Sequence, residues 1–458
     1  MTRLIVIGGD AAGASAASVA KRRRPDLDVV MVERGDYTSY AACGLPYWIS
    51  GDVESSEKLI SRDPAAHRSN GLDVRMHTEA VVIDPVAGTV SLRTAQQSDD
   101  AATTVEHFDH LVIATGAAPI RPPIPGAHAP NVAVIHTIGD SQAVIDQLEP
   151  ADGDTPPRRA VVVGAGFIGL EMAEAFLARG LEVTILDQAS HPMVTMDPDM
   201  GDLIAAAMDR DGITCAFDAP VAAIDVGTDG NATAVRTRAA SYPADVVVLA
   251  LGVRPETALA ANAGLPLGAA GGILTDDHQR VLGTENIWAA GDCVETFHRL
   301  LGCPVHIPLG THANKQGFIA GSNIAGADLT FPGVIGTAIT KVADTHIART
   351  GLSEQQARAA GFDVVAATVR SNVIAGYMPN PGEMATKLVA EAGSGRLLGG
   401  QIVGTQVGAA KRIDTVATAI WGGLTAVDMV YSDLAYAPPS SPVWDPVQIA
   451  ARRVVAAL

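Results

Sequence analysis

The chain has 458 residues, of which 48% are hydrophobic, so it is too long for one ordinary core and we expect about three domains. Its formal net charge of -18 excludes strong attraction to nucleic acids or anionic membrane surfaces, because both are polyanions. The sequence contains no apolar run long enough to span a membrane and no cleavable signal before the first strand-like run. We therefore expect a cytoplasmic protein.

The cysteines are few and scattered: Cys43, Cys215, Cys293 and Cys303. None of them forms a CxxC or CxxxxC pair, and the spacing suits neither a disulfide framework nor a zinc site. We predict no metal centre.

The N-terminal residues predict a βαβ unit. The apolar run LIVIG indicates a strand, GDAAGASAASVAKRRR a helix and DVVMVE the next strand. Gly8 and Gly13 match a dinucleotide-binding fingerprint, although Asp10 stands at the central glycine position and Ala12 precedes the last glycine. Glu33, at the end of the second strand, supplies the carboxylate expected to accept ribose hydroxyls.

A second copy of this plan occupies residues 160 to 187, AVVVGAGFIGLEMAEAFLARGLEVTILD. Gly164, Gly166 and Gly169 have the full GxGxxG spacing, which lets the backbone approach a pyrophosphate at a helix N-terminus. Asp187 ends the next strand and would repel a 2′-phosphate, and the following residues QASH bring no Arg or Lys. NADH is therefore favoured, while NADPH stays open.

The remaining segments predict how the units are completed. DHLVIATGAAP and ADVVVLALGVRPET each predict a strand and a turn, and THANKQGFIAGSNIAG predicts a helix. The Pro- and Asp-rich stretch EPADGDTPPRR predicts a linker before the second unit. From about residue 332 the pattern changes to strands such as TKLVAEA and RLLGGQIVG, which indicate a further α+β domain.

Two dinucleotide sites in one chain indicate that electrons pass between two cofactors, and the second cofactor is most simply a flavin. The chain resembles the flavoprotein pyridine nucleotide-disulfide reductases, in the branch with one active-site cysteine. That branch includes CoA-disulfide reductases, CoA-persulfide reductases, NADH oxidases and NADH peroxidases. The resemblance covers essentially the whole chain and rests on ordered motifs: the first βαβ unit, SYAACGLPY, LVIATGAAP, VVVGAGFIGLEMAE, LGVRPET, IWAAGDC, PLGTHANKQG and DLAYAPP.

The resemblance implies an α/β fold with two Rossmann-like dinucleotide-binding domains, for FAD and NAD(P)H, and a C-terminal α+β dimerisation domain. The predicted segments are the first part of the FAD domain at 1-150, the NAD(P)H domain at 151-255, the second part of the FAD domain at 256-330 and the dimerisation domain at 331-458. The resemblance also implies a homodimer in which the partner subunit completes the active site.

The resemblance further implies the cofactor-binding residues. Asp292 would contact the ribityl or pyrophosphate region of the flavin, and Glu171 would lie near the nicotinamide. The full set of candidates is Gly8, Ala12, Gly13, Glu33, Arg34, Ala114, Thr115, Gly116, Gly164, Gly166, Ile168, Gly169, Glu171, Asp187, Gly252, Gly291, Asp292 and Pro308.

Cys43 in SYAACGLPY is the predicted redox residue, since the resemblance implies that its sulfur sits against the flavin. One thiol suffices when the sulfur to be reduced is already a mixed disulfide, a persulfide or a sulfenic acid. The other cysteines lack such surroundings, and we expect them to be small buried residues.

The motifs also bear on the acceptor. Oxidase and peroxidase members carry a histidine in the first glycine loop, whereas this loop carries Asp10, and an ionised carboxylate is a poor proton donor. Tyr377 and Tyr436 match two tyrosines that CoA-disulfide reductases contribute across the dimer, and a phenol can donate a proton to a departing thiolate. His312, in GTHANKQG, is expected to be structural.

An acidic protein that takes a CoA substrate needs a local basic patch for its phosphates. The densest cluster is AKRRRP at the end of the first predicted helix, where the cations would also stabilise the helix C-terminus. The candidate substrate contacts are Arg22, Ser39 and Arg62.

The sequence thus predicts an FAD-dependent NAD(P)H oxidoreductase that uses Cys43 to reduce a small disulfide or persulfide such as CoA disulfide. One alternative is an NADH oxidase that reduces O2 through a Cys43 sulfenic acid. Others are an electron-transfer reductase for a quinone, a metal ion or an iron-sulfur protein, and an NADH-sensing binding protein that holds FAD structurally.

Overall fold

The structure is a computed structural model, and it describes residues 2–94, 103–149 and 156–458. The helices are α1 (Ala11–Arg23), α2 (Leu45–Ser50), α3 (Pro64–Ser69), α4 (Ile138–Leu148), α5 (Phe167–Ala178), α6 (Pro198–Arg210), α7 (Ala258–Asn262), α8 (Gly310–Ile324), α9 (Glu354–Ala359), α10 (Val407–Lys411), α11 (Ile413–Trp421), α12 (Ala426–Tyr431) and α13 (Pro446–Val455).

The strands in the first part of the chain are β1 (Arg3–Ile7), β2 (Asp28–Val32), β3 (Asp73–Arg75), β4 (Thr78–Asp84), β5 (Thr89–Thr94), β6 (Thr104–His107), β7 (His110–Ile113), β8 (Ala117–Pro119), β9 (Val132–Ala133), β10 (Arg159–Val163), β11 (Glu182–Leu186), β12 (Thr214–Ala216), β13 (Val221–Val226), β14 (Ala232–Thr237), β15 (Ser241–Pro243) and β16 (Val246–Leu249). The strands that follow are β17 (Val253–Pro255), β18 (Ile273–Leu274), β19 (Ile287–Ala289), β20 (Val294–His298), β21 (Cys303–Val305), β22 (Ala338–Val342), β23 (Thr345–Gly351), β24 (Val364–Asn372), β25 (Glu383–Glu391) and β26 (Leu397–Gly404).

Internal contacts divide the chain into two units. The first unit contains residues 1–44, 54–119 and 253–334, and the second contains residues 45–53, 120–252 and 335–458. The predicted boundary between residues 150 and 151 and most of the predicted linker lie outside the described residues. The predicted domain boundaries therefore stay a prediction.

The first unit is built on a parallel sheet with the strand order β19-β7-β1-β2-β3. Successive residues of β1 enter two different cores: Ile5 and Ile7 face one, and Leu4 and Val6 face the other. Both faces of the sheet are thus covered, which explains why β1 is an uninterrupted apolar run.

Small residues let α8 lie directly against α1. A Cβ added at Gly317 would overlap the carbonyl oxygen of Ala12, and one added at Gly321 would overlap that of Ala16. This close packing of the two backbones brings the first turn of α8 up to the first glycine loop, where Ala313 of α8 and Ala290, which follows β19, pack on Ala12.

The second unit repeats the parallel plan and adds an antiparallel sheet. Its parallel sheet has the order β12-β11-β10-β16-β9, and its antiparallel sheet has the order β22-β23-β26-β25-β24. The predicted α/β fold class, with two dinucleotide-binding sheets and a C-terminal α+β domain, is confirmed.

A buried polar cluster connects the N-terminus of α6 to the antiparallel sheet within the second unit. Lys387, whose side chain is only 7% exposed, lies 3.2 Å from Asp197, 2.8 Å from Asp199 and 3.3 Å from Glu354. Gln401 donates to Asp197 over 2.6 Å. Such a cation is stable in a buried position only because several carboxylates and hydrogen bonds compensate for its lost hydration.

In the part of the chain that the structure describes, no helix has both the length and the apolar character needed to cross a membrane. A cytoplasmic location stays a prediction.

Candidate functional site

The two glycine loops have the same local structure in the two units. The amide of Gly8 donates to the carbonyl of Val32 over 2.9 Å, and the amide of Gly164 donates to the carbonyl of Leu186 over 2.7 Å. Both glycines have a left-handed backbone, with φ of 102° and 107°. The backbone of the first loop therefore follows the same course as that of the second, although Asp10 stands at its central glycine position.

The last glycine of each loop is required by a close backbone approach. A Cβ at Gly13 would overlap the carbonyl oxygen of Gly8, and a Cβ at Gly169 would overlap that of Gly164. No atom lies within 4 Å of a Cβ added at Gly166. The second loop thus keeps an open cradle at the N-terminus of α5, which fits a pyrophosphate.

The two predicted ribose carboxylates occupy equivalent positions. Glu33 accepts hydrogen bonds from the amides of Gly9 and Gly35, over 2.8 and 2.7 Å. Asp187 accepts from the amides of Ala165 and Ala189, over 2.7 and 2.8 Å. Each carboxylate is held beside its glycine loop, as a ribose-binding group must be, so both sites fit a dinucleotide.

The predicted loops at the ends of neighbouring strands border these cradles. Gly116, after β7, and Gly252, after β16, have a φ of 71° and 84°, and no atom lies within 4 Å of a Cβ added at either. Thr115 donates to the carbonyl of Glu256 over 2.6 Å. The amide of Ala114 donates to the carbonyl of Ile7 over 2.8 Å, so this loop adjoins the end of β1.

Two side chains position the loop that carries Asp292. The amide of Gly291 donates to Gln316 over 2.8 Å, and His306 donates to the carbonyl of Asp292, also over 2.8 Å. Sequence reasoning assigned a role to neither side chain: Gln316 lies within PLGTHANKQG but was not singled out, and His306 lies outside the recognised motifs. The other cofactor candidates are an exposed Arg34 after β2 and the half-buried Ile168 and Pro308.

Asp10 is the acidic N-cap of α1 and has an unusual proton affinity. Burial raises its pKa from 3.8 to about 6, the amides of Tyr40 and Ala11 lower it, and the charges of Glu33 and Asp292 raise it. The carboxylate is mostly ionised at pH 7, as expected from the sequence, but it becomes protonated close to pH 6.

The segment that carries Cys43 is tied to the first glycine loop. The amide of Ser39 donates to the carbonyl of Gly9 over 3.1 Å, and the amide of Tyr40 donates to Asp10 over 3.2 Å. Cys43 itself lies exposed in a 3-10 turn at Ala42–Gly44. The structure thus brings the segment that carries the predicted redox residue to the first glycine loop within one unit.

The predicted substrate contacts surround the same segment. Ser39 has a φ of 48° and its hydroxyl lies 3.0 Å from Nε2 of His67. Arg62 lies 3.5 Å from the hydroxyl of Ser18. Ser18 is on α1, one helical turn before the exposed Arg22. The structure therefore brings Arg22 and Arg62 to one surface of this helix.

His67 is a residue that the sequence did not single out. It is buried on α3, and burial, with a smaller contribution from the charge of Arg62, lowers its pKa. Its ring is therefore neutral at pH 7 and holds the Ser39 hydroxyl without adding charge.

The remaining cysteines differ from one another. Cys293 is fully buried in a core of the first unit, as expected. Cys215 is partly buried, and burial raises the pKa of its thiol to about 11. Cys303 is exposed, so the expectation that it is buried was wrong: β21, which carries it, is a short strand that pairs with β20 and leaves the thiol at the surface.

His312 is largely buried and its ring donates to the carbonyl of Ile307 over 3.2 Å.

Tyr377 and Tyr436 meet on the C-terminal domain. Their hydroxyl oxygens are 3.5 Å apart, and their side chains lie at the surface, 75% and 47% exposed. The amide of Ala375 donates to the carbonyl of Pro438, which joins the two loops that carry the tyrosines. The two exposed hydroxyls could therefore contact another molecule that covers this face of the domain.

Glu171 lies on α5, after the second glycine loop, and contacts the C-terminal domain of its own unit. The hydroxyl of Thr340 donates to its carboxylate over 2.9 Å. Burial raises the pKa of Glu171 to about 7, the Thr340 hydroxyl lowers it, the charge of Glu174 raises it, and Lys341 lowers it. No motif pointed to Thr340, which lies far away in the chain.

Comparison with known proteins identifies the family. The family model described as pyridine nucleotide-disulphide oxidoreductase matches residues 2–317, and the model for that family's dimerisation domain matches residues 337–446. The chain therefore belongs to the pyridine nucleotide-disulphide oxidoreductases. It is an FAD-dependent NAD(P)H oxidoreductase, and the predicted cofactors are confirmed.

Individual relatives span the whole chain. It is 37% identical to an NAD(P)H sulfur oxidoreductase (CoA-dependent) of Pyrococcus furiosus, over 98% of each chain. It is 33% identical to an NADH oxidase of Methanocaldococcus jannaschii, again over 98% of each. The solved structure of an NAD-dependent persulfide reductase from A. fulgidus superimposes with a TM-score of 0.94 and 38% identity, covering 100% of this chain and 83% of that one. Together with the dimerisation domain, these likenesses support a homodimer that acts on a small molecule.

Proposed function

We propose that this oxidoreductase reduces a low-molecular-weight disulfide or persulfide of the coenzyme A type through Cys43. The observation that carries the proposal is the pair of hydrogen bonds from Ser39 and Tyr40 to the first glycine loop. They tie an exposed thiol to the site that fits FAD. The printed name of the Pyrococcus furiosus relative, which is CoA-dependent, supports the substrate class.

The proposed reaction needs one protein thiol. The Cys43 thiolate attacks a disulfide RSSR, releases one thiolate and forms a mixed disulfide with the other half. Bound FAD would supply the two-electron transfer from NAD(P)H that cleaves this mixed disulfide and regenerates the Cys43 thiolate. The balance is RSSR + NAD(P)H + H⁺ → 2 RSH + NAD(P)⁺, and a persulfide RSSH would yield RSH and hydrogen sulfide.

The departing thiolates need protons, and we propose that the tyrosine pair of the partner subunit donates them. Tyr377 and Tyr436 are exposed and adjacent, and the hydrogen bond with Tyr436 raises the pKa of Tyr377. The Tyr377 phenol therefore keeps its proton at pH 7 and is able to donate it. This arrangement requires the homodimer.

The anionic end of the substrate would bind beside Cys43. Arg22 and Arg62 share one surface of α1 through the contact of Arg62 with Ser18, and Ser39 lies on the Cys43 segment. Guanidinium and hydroxyl groups suit the phosphates of a nucleotide-bearing thiol. The same groups would give no advantage to O2, a quinone or a metal ion.

The test compares Cys43→Ser with Cys303→Ser, since both thiols are exposed. We expect Cys43→Ser to abolish NADH-dependent reduction of CoA disulfide, while FAD stays bound and is still reduced by NADH. Cys303→Ser should retain full turnover. Undiminished disulfide turnover in Cys43→Ser would eliminate the proposal and favour the electron-transfer alternative.

A second candidate is an NADH oxidase, which the likeness to the Methanocaldococcus jannaschii protein favours. In that case Cys43 would cycle through a sulfenic acid and O2 would be the acceptor. NADH consumption in air that yields water and is not accelerated by CoA disulfide would support it. Turnover that depends on CoA disulfide under argon would exclude it as the main activity.

A further inference from the structure

A cleft of about 560 Å³ lies between α6 and the antiparallel sheet, both of which belong to the second unit. Small residues line both of its walls: Ala206 and Ala207 on α6, and Ala385 on β25. Because these side chains are short, the space between the helix and the sheet is left open. The cleft contains none of the residues predicted to bind the nucleotides or to reduce a disulfide.

The strand register places a charged side chain at the end of an apolar row in this cleft. Arg370 of the edge strand β24 pairs with Ala385 of β25, which in turn pairs with Val403 of β26. Directly paired residues lie on the same face of a sheet, and Leu203 of α6 also lines the cleft. The row therefore runs from a guanidinium at the sheet edge to apolar side chains further in.

Two guanidinium groups in the cleft have no anionic partner among the described residues. Arg210, the last residue of α6, donates only to the Thr345 hydroxyl, over 3.4 Å, and Arg370 forms no ion pair or side-chain hydrogen bond. Glu383 is the one acidic residue among the described residues that line the cleft. The lining is thus locally cationic, in a chain whose formal net charge is -18.

We propose that this cleft binds an amphiphilic anion, a carboxylate or a phosphate monoester with an apolar body. Arg210 and Arg370 would hold the anionic group, since guanidinium forks suit both oxyanions, and the apolar body would cover the apolar row. The volume falls within the range of roughly 300–1,000 Å³ that is usual for small-molecule sites. An adjoining cavity of about 500 Å³ is unsuited to the anionic group, because it adds Asp211 and Asp344 to the lining.

The cleft adjoins the loop that carries Tyr377. This loop joins β24 to β25, and the residues on either side of it, Asn372 and Glu383, both line the cleft. A ligand that contacts both strands restrains the loop between them, so amide exchange in residues 373–382 should slow when the cleft is occupied.

The test titrates the FAD-loaded protein calorimetrically with octyl phosphate, octanoate and octanol. We expect one site per chain for at least one of the two anions, and a Kd for octanol that is at least roughly tenfold higher, because octanol has no charge for the guanidinium groups. The phosphate and carboxylate arms distinguish the two kinds of anionic group. Repeating the titration with CoA disulfide present should leave the Kd unchanged.

Variants assign the binding to the cleft. Arg210→Ala and Arg370→Ala should each raise the Kd on the order of tenfold, and Glu383→Gln should lower it, because a like charge is removed. Ala385→Leu should block the apolar part of the site without changing its charge. Arg238→Ala is the matched control, since Arg238 is an exposed arginine of the same unit outside the cleft.

The outcomes separate this inference from the disulfide proposal. The absence of saturable binding of either anion would overturn it, and so would equal losses in Arg370→Ala and Arg238→Ala. Displacement by CoA disulfide would place the anion at the proposed substrate patch and would also overturn it. Binding without slower exchange in residues 373–382 would overturn the restraint on the Tyr377 loop. Failure of CoA disulfide turnover would leave the titrations unaffected, because they involve no electron acceptor.

Discussion

The hydroxyl oxygens of Tyr377 and Tyr436 lie 3.5 Å apart although 59 positions separate the two residues in the chain. The pair lies on the part of the protein that matches the family's dimerisation domain. Two phenols at hydrogen-bonding distance can donate a proton and share the resulting charge between them. If the partner subunit supplies them, activity must depend on residues from two chains.

This dependence can be tested with hybrid dimers. Cys43→Ser and the double variant Tyr377→Phe with Tyr436→Phe should each have little CoA disulfide reductase activity. In a hybrid of the two, one site combines an intact Cys43 with the intact tyrosines of the other chain, so activity should return to about half per dimer. Steady-state assays on differently tagged, co-purified hybrids would measure this. No recovery would place both groups in one chain, and full activity of the tyrosine double variant by itself would remove the tyrosines from the mechanism.

Asp187 should set the preference between the two nicotinamide nucleotides. Its carboxylate is held beside the second glycine loop, where it would repel a 2′-phosphate. Asp187→Ser should lower the ratio of kcat/KM for NADH to that for NADPH by at least roughly tenfold, since a repulsion between charges about 4 Å apart is worth several kcal/mol. Glu33→Gln is the control from the equivalent position in the first loop: it should weaken FAD retention and leave the ratio unchanged.

Two glycines of the second loop should fail in different ways. Gly166→Ala projects its methyl group into open space, so the protein should keep its Tm but lose NADH affinity, because the methyl occupies the pyrophosphate cradle. Gly169→Ala drives a methyl group into the carbonyl of Gly164 and should lower the Tm by several degrees. Differential scanning calorimetry and NADH titration distinguish the two. Identical losses of Tm would contradict the geometry.

Asp10 should make folding stability depend on pH. Its pKa is raised from 3.8 to about 6 in the folded protein, so the unfolded chain ionises first and stability falls as pH rises between these values. Asp10→Asn removes this effect. The variant should be more stable than the unmodified protein by at most about 3 kcal/mol above pH 6, and equally stable near pH 4. Urea unfolding across this range would measure the difference, and a constant difference would contradict the raised pKa.

His67 should influence substrate affinity through Ser39. Its ring lies 3.0 Å from the Ser39 hydroxyl, and Ser39 holds a left-handed backbone beside the proposed phosphate patch. His67→Leu should raise the KM for CoA disulfide several-fold, whereas His67→Gln, which retains a hydrogen-bonding group, should have a smaller effect. A small aromatic disulfide without phosphates is the control substrate. An equal loss with both substrates would indicate general damage to the Cys43 segment.

The fold and the course of the two glycine loops could be predicted almost completely from the sequence. Glycine spacing, apolar runs such as that of β1 and a carboxylate at the end of the second strand are local signals, because the backbone geometry that they serve is local. The first site remained recognisable despite Asp10, since Gly8 and Gly13 carry the turn and the close approach, and Glu33 is the predicted ribose contact. Cys43 is predicted as the redox residue from its motif.

What the sequence by itself determined is therefore the class of protein, its cofactors and its candidate redox thiol. Only the tertiary structure brought Thr340 to Glu171, His67 to Ser39 and Tyr377 to Tyr436. Hydrogen bonds between residues far apart in the chain depend on how sheets and helices pack, and no periodicity or spacing encodes them. The same packing decided that burial is the largest cause of the raised pKa of Glu171 and of Asp10.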